Sequence, residues 1–164
     1  MNRGLFAHPG KERLISIRVL FADPDESLLA EYRGLLRRDF EVATVTNALE
    51  CIGRLRQVVP DVLVLEPHLP WGGGDGVLAA MRDEPSLANI PVMILTACRD
   101  LDILKSVAPF PIRDYYVKPL SPAHLETRIR QLLDHHRRCA RALDEGNRTR
   151  RWNSRRTQEA VVDD

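Results

Sequence analysis

Short apolar runs that alternate with stretches of helical spacing constrain this chain more than any other feature. The runs lie at 17–22, 42–45, 62–65, 92–95 and 115–117. They are mostly apolar rather than alternating, the pattern of strands buried on both faces. After the first run, Leu28, Leu29, Tyr32, Leu35 and Leu36 recur at i, i+1, i+4, i+7 and i+8, which predicts an amphipathic helix. Leu49, Ile52, Leu55 and Val59 keep helical spacing until Pro60 stops it. Val77, Leu78 and Met81 predict a short helix after a loop at 67–76 rich in proline and glycine. Leu101, Ile103, Leu104 and Val107 predict a weaker one, closed by Pro109 and Pro111. Leu125, Ile129, Leu132 and Leu133 predict the last. Strand–helix alternation of this kind implies a parallel sheet with helices on both faces. Right-handed crossovers then yield a doubly wound (βα)5 α/β fold, a three-layer sandwich around a five-stranded parallel sheet.

The chain has 164 residues, 44% of them hydrophobic and 5% aromatic. That is enough for one aliphatic core and argues against wholesale disorder. Residues 1–15 show no period and contain Pro9 and Gly10, so they read as a flexible lead-in. The folded domain is expected to span 16–138. Beyond it the apolar period fades, and the arginine-rich segment 139–164 is expected to be a disordered, solvated tail. The formal net charge is +1, too small for a strong global attraction to nucleic acid or membrane. It is unevenly placed, since residues 135–164 hold 8 basic and 5 acidic side chains. No run approaches the roughly 20 apolar residues of a membrane span, and the first residues lack a secretory signal. A soluble, cytoplasmic protein is expected. Cys51, Cys98 and Cys139 are far apart and form no CxxC, which disfavours a disulfide scaffold or zinc ribbon.

Ligands of open parallel sheets bind at the carboxyl ends of the strands. The residues at those ends are Asp23, Pro24 and Asp25, then Glu66, Thr96 and Lys118. Two carboxylates, a hydroxyl and an ammonium suit a phosphoryl group with a divalent cation. Gly72, Gly73 and Gly74 beside Trp71 do not make a P-loop, because no Lys-Ser or Lys-Thr follows. They read as a flexible loop. His135 and His136 are adjacent and do not share a helix face, while His8, His68 and His124 have no partner pattern. No Ser-His-Asp or Cys-His arrangement can be argued, so the chain reads as a non-enzyme.

The acidic turn FADPDES, the segment VLVLEPHLP, ILTA before Cys98, and YYVKP occur in that order. Each stands at the end of a predicted strand, over roughly residues 16–135. In these motifs the chain resembles a response-regulator receiver domain, the phosphoacceptor module of two-component phosphorelay signalling. The resemblance implies a flavodoxin-like sheet of order 2-1-3-4-5. It implies that Glu66 occupies the phosphoacceptor position, normally aspartate. Thr96 and Lys118 would form the phosphate pocket, Tyr115 the aromatic switch, and Pro119 a cis peptide. Asp23, Glu66 and the backbone carbonyl of His68 would be the Mg²⁺ ligands, with binding weakened because Pro24 replaces the second acid.

Glutamate is one methylene longer than aspartate and carries its carboxylate outward by about 1.5 Å. It would intrude where an acyl phosphate should form, pair with Lys118 and accept from Thr96. The expected protein is therefore an atypical single-domain regulator, a pseudo-receiver with impaired or absent phosphorylation, in which Glu66 is a constitutive mimic or an inactive site. Its expected partners are signalling proteins, a histidine kinase or a downstream effector. A homodimer would form through the face of the fourth helix, fifth strand and fifth helix. The competing readings are a receiver that still accepts phosphate from a histidine kinase, and a nucleic-acid-associated protein using the arginine-rich tail. The tail shows no recognisable DNA-binding fold, so nucleic acid is disfavoured as a partner.

Overall fold

Each apolar run becomes a strand of one sheet in the computed structural model, which describes residues 16–99 and 101–159. The expected lead-in 1–15 lies outside the described residues, as do 160–164 of the tail. The strands are β1 (Ile17–Ala22), β2 (Phe40–Val45), β3 (Val62–Leu65), β4 (Val92–Thr96) and β5 (Asp114–Val117). The helices are α1 (Glu26–Leu36), α2 (Ala48–Val58), α3 (Gly73–Asp83), α4 (Leu101–Val107) and α5 (Pro122–Glu159). All strand pairs are parallel, in the order β2-β1-β3-β4-β5. This is the doubly wound flavodoxin-like α/β fold.

Successive strand residues point to opposite faces, and both faces are covered. On one, Leu20, Leu63, Leu65 and Ile94 pack with Cys51, Leu55, Val77 and Leu78 of α2 and α3. On the other, Val19, Phe21, Val64 and Met93 pack with Leu29 and Tyr32 of α1 and Leu125 and Ile129 of α5. That double burial is why the central strands carry no polar–apolar alternation. β2 at the edge begins earlier than its apolar run suggests, because Phe40 is buried opposite Ile17 while Glu41 faces solvent. Caps mark the helix starts. The Asp25 side chain accepts from the Leu28 N–H at 3.0 Å, and Asn47 accepts from the Glu50 N–H at 2.9 Å. Both satisfy donors that the first turn leaves unpaired.

Two segments differ from the sequence reading. The glycine-rich stretch is not all loop, since α3 starts at Gly73. Gly72 (φ 128°) and Gly73 (φ 68°) make the turn into it. Gly74 donates its N–H to the Pro67 carbonyl at 2.8 Å. The larger difference concerns the expected disordered tail. Residues 139–159 continue α5, which runs unbroken for 38 residues, about 57 Å at the usual helical rise. Apolar periodicity reports a buried face, not helicity itself, so its fading hid this segment. Arginine, alanine, leucine and glutamate are good helix formers. The packed turns at Leu125–Leu133 also remove the nucleation cost of extending the helix.

Candidate functional site

The parallel register carries four side chains to one end of the sheet. β1 and β3 run side by side with Ala22 opposite Leu65, so Asp23 and Glu66 leave adjacent strand ends. β4 lies between β3 and β5, with Leu65 opposite Ile94 and Thr96 opposite Val117. Backbone bonds continue past the strands, from the Glu66 N–H to the Ala22 carbonyl at 2.9 Å and from the Lys118 N–H to the Thr96 carbonyl at 2.7 Å. The structure thereby brings together Asp23, Glu66, Thr96 and Lys118.

Glu66 is at the centre. Its Oε1 accepts from the Thr96 hydroxyl at 2.8 Å and from the His68 N–H at 3.2 Å. Its Oε2 accepts from Lys118 Nζ at 3.1 Å and from the Ala97 N–H at 3.2 Å. Thr96 Oγ1 in turn accepts from the Cys98 N–H at 3.1 Å. Lys118 Nζ also pairs with Asp23 Oδ2, and Asp23 Oδ1 accepts from the Asp25 N–H at 3.0 Å. The carboxylates and the ammonium are largely withdrawn from water, with side-chain exposures of 9% for Asp23, 5% for Glu66 and 15% for Lys118. Among the described residues, no buried side-chain nitrogen or oxygen lacks a hydrogen-bond partner.

Burial pushes the Glu66 carboxyl upward. The bonds from Thr96, the His68 N–H and Lys118, with the charge of Lys118, outweigh burial and hold it below the usual carboxylate range. Burial likewise opposes the charge on Lys118, but Asp23 and Glu66 overcome it and raise the ammonium above its ordinary value. A depressed folded-state value stabilises the protein above the unfolded carboxyl value of about 4.3, and that stability disappears as the pH falls through the folded value. Urea unfolding at a series of pH values from neutral to acid should show wild type losing stability more steeply than Glu66→Gln. Parallel curves would mean that Glu66 is not held ionised in this way.

The other sequence candidates take their own places. The Lys118–Pro119 peptide is cis. Tyr115 is half-buried against the cluster that holds Ile94 and Val107, and its hydroxyl is pushed up by burial and by the nearby Cys98 and Glu66. His68 is exposed, and its N–H serves Glu66. Cys51 is fully buried, which pushes its thiol up to about 12. Trp71 is exposed at φ 58°. The backbone donors of His68 and Ala97 were not foreseen, because a backbone N–H carries no sequence signal.

The donor set does not suit a tightly held Mg²⁺, which takes oxygen ligands including one or two carboxylates. The Asp23 and Glu66 carboxylates share the Lys118 ammonium. Pro24 offers no side-chain ligand, and Asp25 is spent on capping α1. Among the described residues, no cluster of three or more His, Cys, Asp or Glu is placed to hold a metal, and no helix is long and apolar enough to cross a membrane.

Residues 19–130 match the family model of the response regulator receiver domain. The chain is 34% identical over 119 residues to the transcriptional regulatory protein PrrA of Mycobacterium tuberculosis, a match covering 72% of this chain and 50% of that protein. It is 25% identical over 116 residues to the sensor histidine kinase TmoS of Ectopseudomonas mendocina, covering 71% of this chain and 12% of the kinase. This chain thus spans half or less of these curated relatives. A solved structure of a response regulator from Chloroflexus aurantiacus superposes with a TM-score of 0.66 at 24% identity, covering 73% of this chain and 98% of that one. The receiver domain of a sensor histidine kinase from Pseudomonas aeruginosa, described with magnesium in its active-site cleft, superposes with a TM-score of 0.67 at 17% identity, covering 73% and 98%. At these identities the structural likeness concerns the fold.

Proposed function

The chain belongs to the response regulator receiver domain family of two-component phosphorelay signalling, and from that premise we propose that it is a pseudo-receiver that does not take phosphate on Glu66. One observation carries this reading. Both oxygens of the Glu66 carboxylate are engaged by the Thr96 hydroxyl, the Lys118 ammonium and two backbone N–H groups. In a receiver these positions serve an acyl phosphate on a shorter aspartate. Here the longer side chain reaches the donors unaided. A carboxylate held by four donors is a poor nucleophile, and the pairing of Lys118 with Asp23 leaves that ammonium committed as well.

The protein then signals by contact alone, with Glu66 as a standing substitute for the phosphorylated group. Its single charge falls short of the roughly −1.5 to −2 of a phosphoryl group. The substitute works through hydrogen-bond geometry more than through charge. Tyr115 links the pocket to the face of α4, β5 and α5, where a histidine kinase, a downstream effector or a second copy would dock. The protein acts in the cytoplasm and carries out no catalysis of its own.

Incubation with a small-molecule phosphodonor and Mg²⁺, followed by intact mass, tests this reading. Wild type should keep its mass, and Glu66→Asp should gain one phosphoryl group if the shorter side chain clears the space. An adduct on wild type that is absent from Glu66→Ala would overturn the proposal.

A further inference from the structure

A cavity of about 310 Å³ opens at the end of the sheet opposite Glu66. Val92 begins β4 and Arg113 directly precedes β5, and the Arg113 N–H donates to the Val92 carbonyl at 2.9 Å. Both residues line the cavity, together with Met81 and Arg82 from the last turn of α3 and His136 of α5. Its apolar lining includes Leu78, Met81, Ile90 and Phe110. Its polar side chains are Arg82, Asn89, Arg113 and His136, and among the described residues that line it there is no aspartate or glutamate. Arg82 is already engaged. Its Nε lies 3.1 Å from Asp83 Oδ1, and its guanidinium stands 5.7 Å from the centre of the Phe110 ring. Among the described residues, neither the Arg113 guanidinium nor the Asn89 amide has a hydrogen-bond or ion-pair partner. Burial, the charge of Arg113 and that of His135 hold the His136 imidazole below its ordinary value, so it is uncharged at neutral pH.

We propose that this cavity binds a small carboxylic acid with a flat apolar body, held by the Arg113 guanidinium. Arginine presents a planar fork that pairs bidentately with a carboxylate. One unpaired guanidinium matches the single charge of a carboxylate better than the roughly −1.5 to −2 of a phosphoryl group. The neutral His136 and the Asn89 amide offer further hydrogen bonds. The apolar lining takes the body of the ligand, and the Met81 thioether adapts to an aromatic ring. A few convergent polar groups on an apolar lining are the usual make-up of a ligand pocket, and the volume sits at the small end of the usual range of about 300–1,000 Å³. A cationic ligand finds no counter-charge here. Residues 1–15 are a poor occupant for the same reason, because Arg3, Lys11 and Arg13 outnumber Glu12. Phe110 and Tyr115 pack on one apolar cluster, so an occupant touches the segment that leads into β5. The cavity shares no residue with the Glu66 pocket and stands whether or not Glu66 takes phosphate.

The test is calorimetric titration of the full chain with 2-naphthoate and, in parallel, with its uncharged isostere 2-naphthamide. Naphthoate should bind at one site and the amide about tenfold more weakly, the low end for hydrogen bonds to a charged group. Arg113→Gln should weaken naphthoate about tenfold and leave naphthamide unchanged. Ala88→Trp, at an exposed position of the lining, should block both ligands. Arg54→Gln removes the same charge from an exposed position of α2 outside the lining and should change neither. Circular dichroism of each variant should match wild type, so that lost binding is not lost fold. Four results would overturn the proposal: no naphthoate binding at millimolar concentration, equal affinity for the amide, equal losses from Arg113→Gln and Arg54→Gln, or binding that survives Ala88→Trp. A dimer in sedimentation velocity that Ala88→Trp dissociates would place a second copy in the cavity and overturn it as well.

Discussion

Lys118→Met is expected to lower the unfolding free energy by about 3–5 kcal/mol, the usual cost of removing one partner from a buried charge cluster. The lysine is the cation shared by Asp23 and Glu66, and all three side chains are largely sheltered from water. Methionine fills the aliphatic space but leaves two carboxylates facing one another without a counter-charge. The Thr96 hydroxyl and the backbone N–H groups still serve Glu66, so the penalty falls mainly on Asp23 and on the repulsion between the acids. Urea denaturation at neutral pH measures it. The loss should shrink at acid pH, where protonation of one carboxyl relieves the repulsion. Adding Asp23→Asn and Glu66→Gln to Lys118→Met should recover much of it, since eliminating the charges together removes the unpaired ones. A loss below about 1 kcal/mol would place the cluster with ordinary solvated surface pairs.

Gly74→Ala is expected to destabilise by about 1–3 kcal/mol, the range for overfilling a packed site, whereas Gly76→Ala should stabilise. Both glycines lie in α3. A Cβ on Gly74 would stand 2.7 Å from the Pro67 Cα and 3.1 Å from its carbonyl oxygen. Those are backbone atoms of the residue that follows Glu66, so relief of the contact must shift the segment that presents Glu66 and the His68 N–H. A Cβ on Gly76 meets nothing within 4 Å, and alanine there gains about 0.5–1 kcal/mol of helix propensity. Thermal unfolding of the two variants should move in opposite directions. Movement in the same direction would show that α3 does not pack on Pro67 in this way.

The glycine pair shows what local pattern could and could not carry. Gly72, Gly73, Gly74 and Gly76 read alike in the sequence, as a mobile loop beside the site. In the fold the first two make a turn with positive φ, the third is a close approach, and the fourth is a free helical position. Nothing in residues 72–76 encodes the location of Pro67, which depends on how α3 settles against β3. The arginine-rich segment failed for a related reason. Burial leaves a period in the sequence, but the exposed turn of α5 at residues 137–142 buries no apolar face that could announce it.

The strand ends were legible because a strand buried on both faces must be apolar throughout, and the first polar residue after it marks the edge of the sheet. That rule located Asp23, Glu66 and Thr96, whereas Lys118 follows the edge strand β5, whose residues are only half-buried, and was marked by the short run 115–117. That Glu66 stands where a receiver domain has aspartate, and Pro24 where it has a second acid, came from the resemblance to that family and not from the rule. The tertiary structure alone decided how those residues meet. The Lys118 ammonium pairs with both Asp23 and Glu66, and the N–H groups of His68 and Ala97 complete the hold on Glu66. Residues 23, 66, 96 and 118 are far apart in the chain, and no spacing rule relates them. Their convergence follows from the parallel register of β1, β3, β4 and β5, a long-range property, whereas the alternation that identified each strand is a local one.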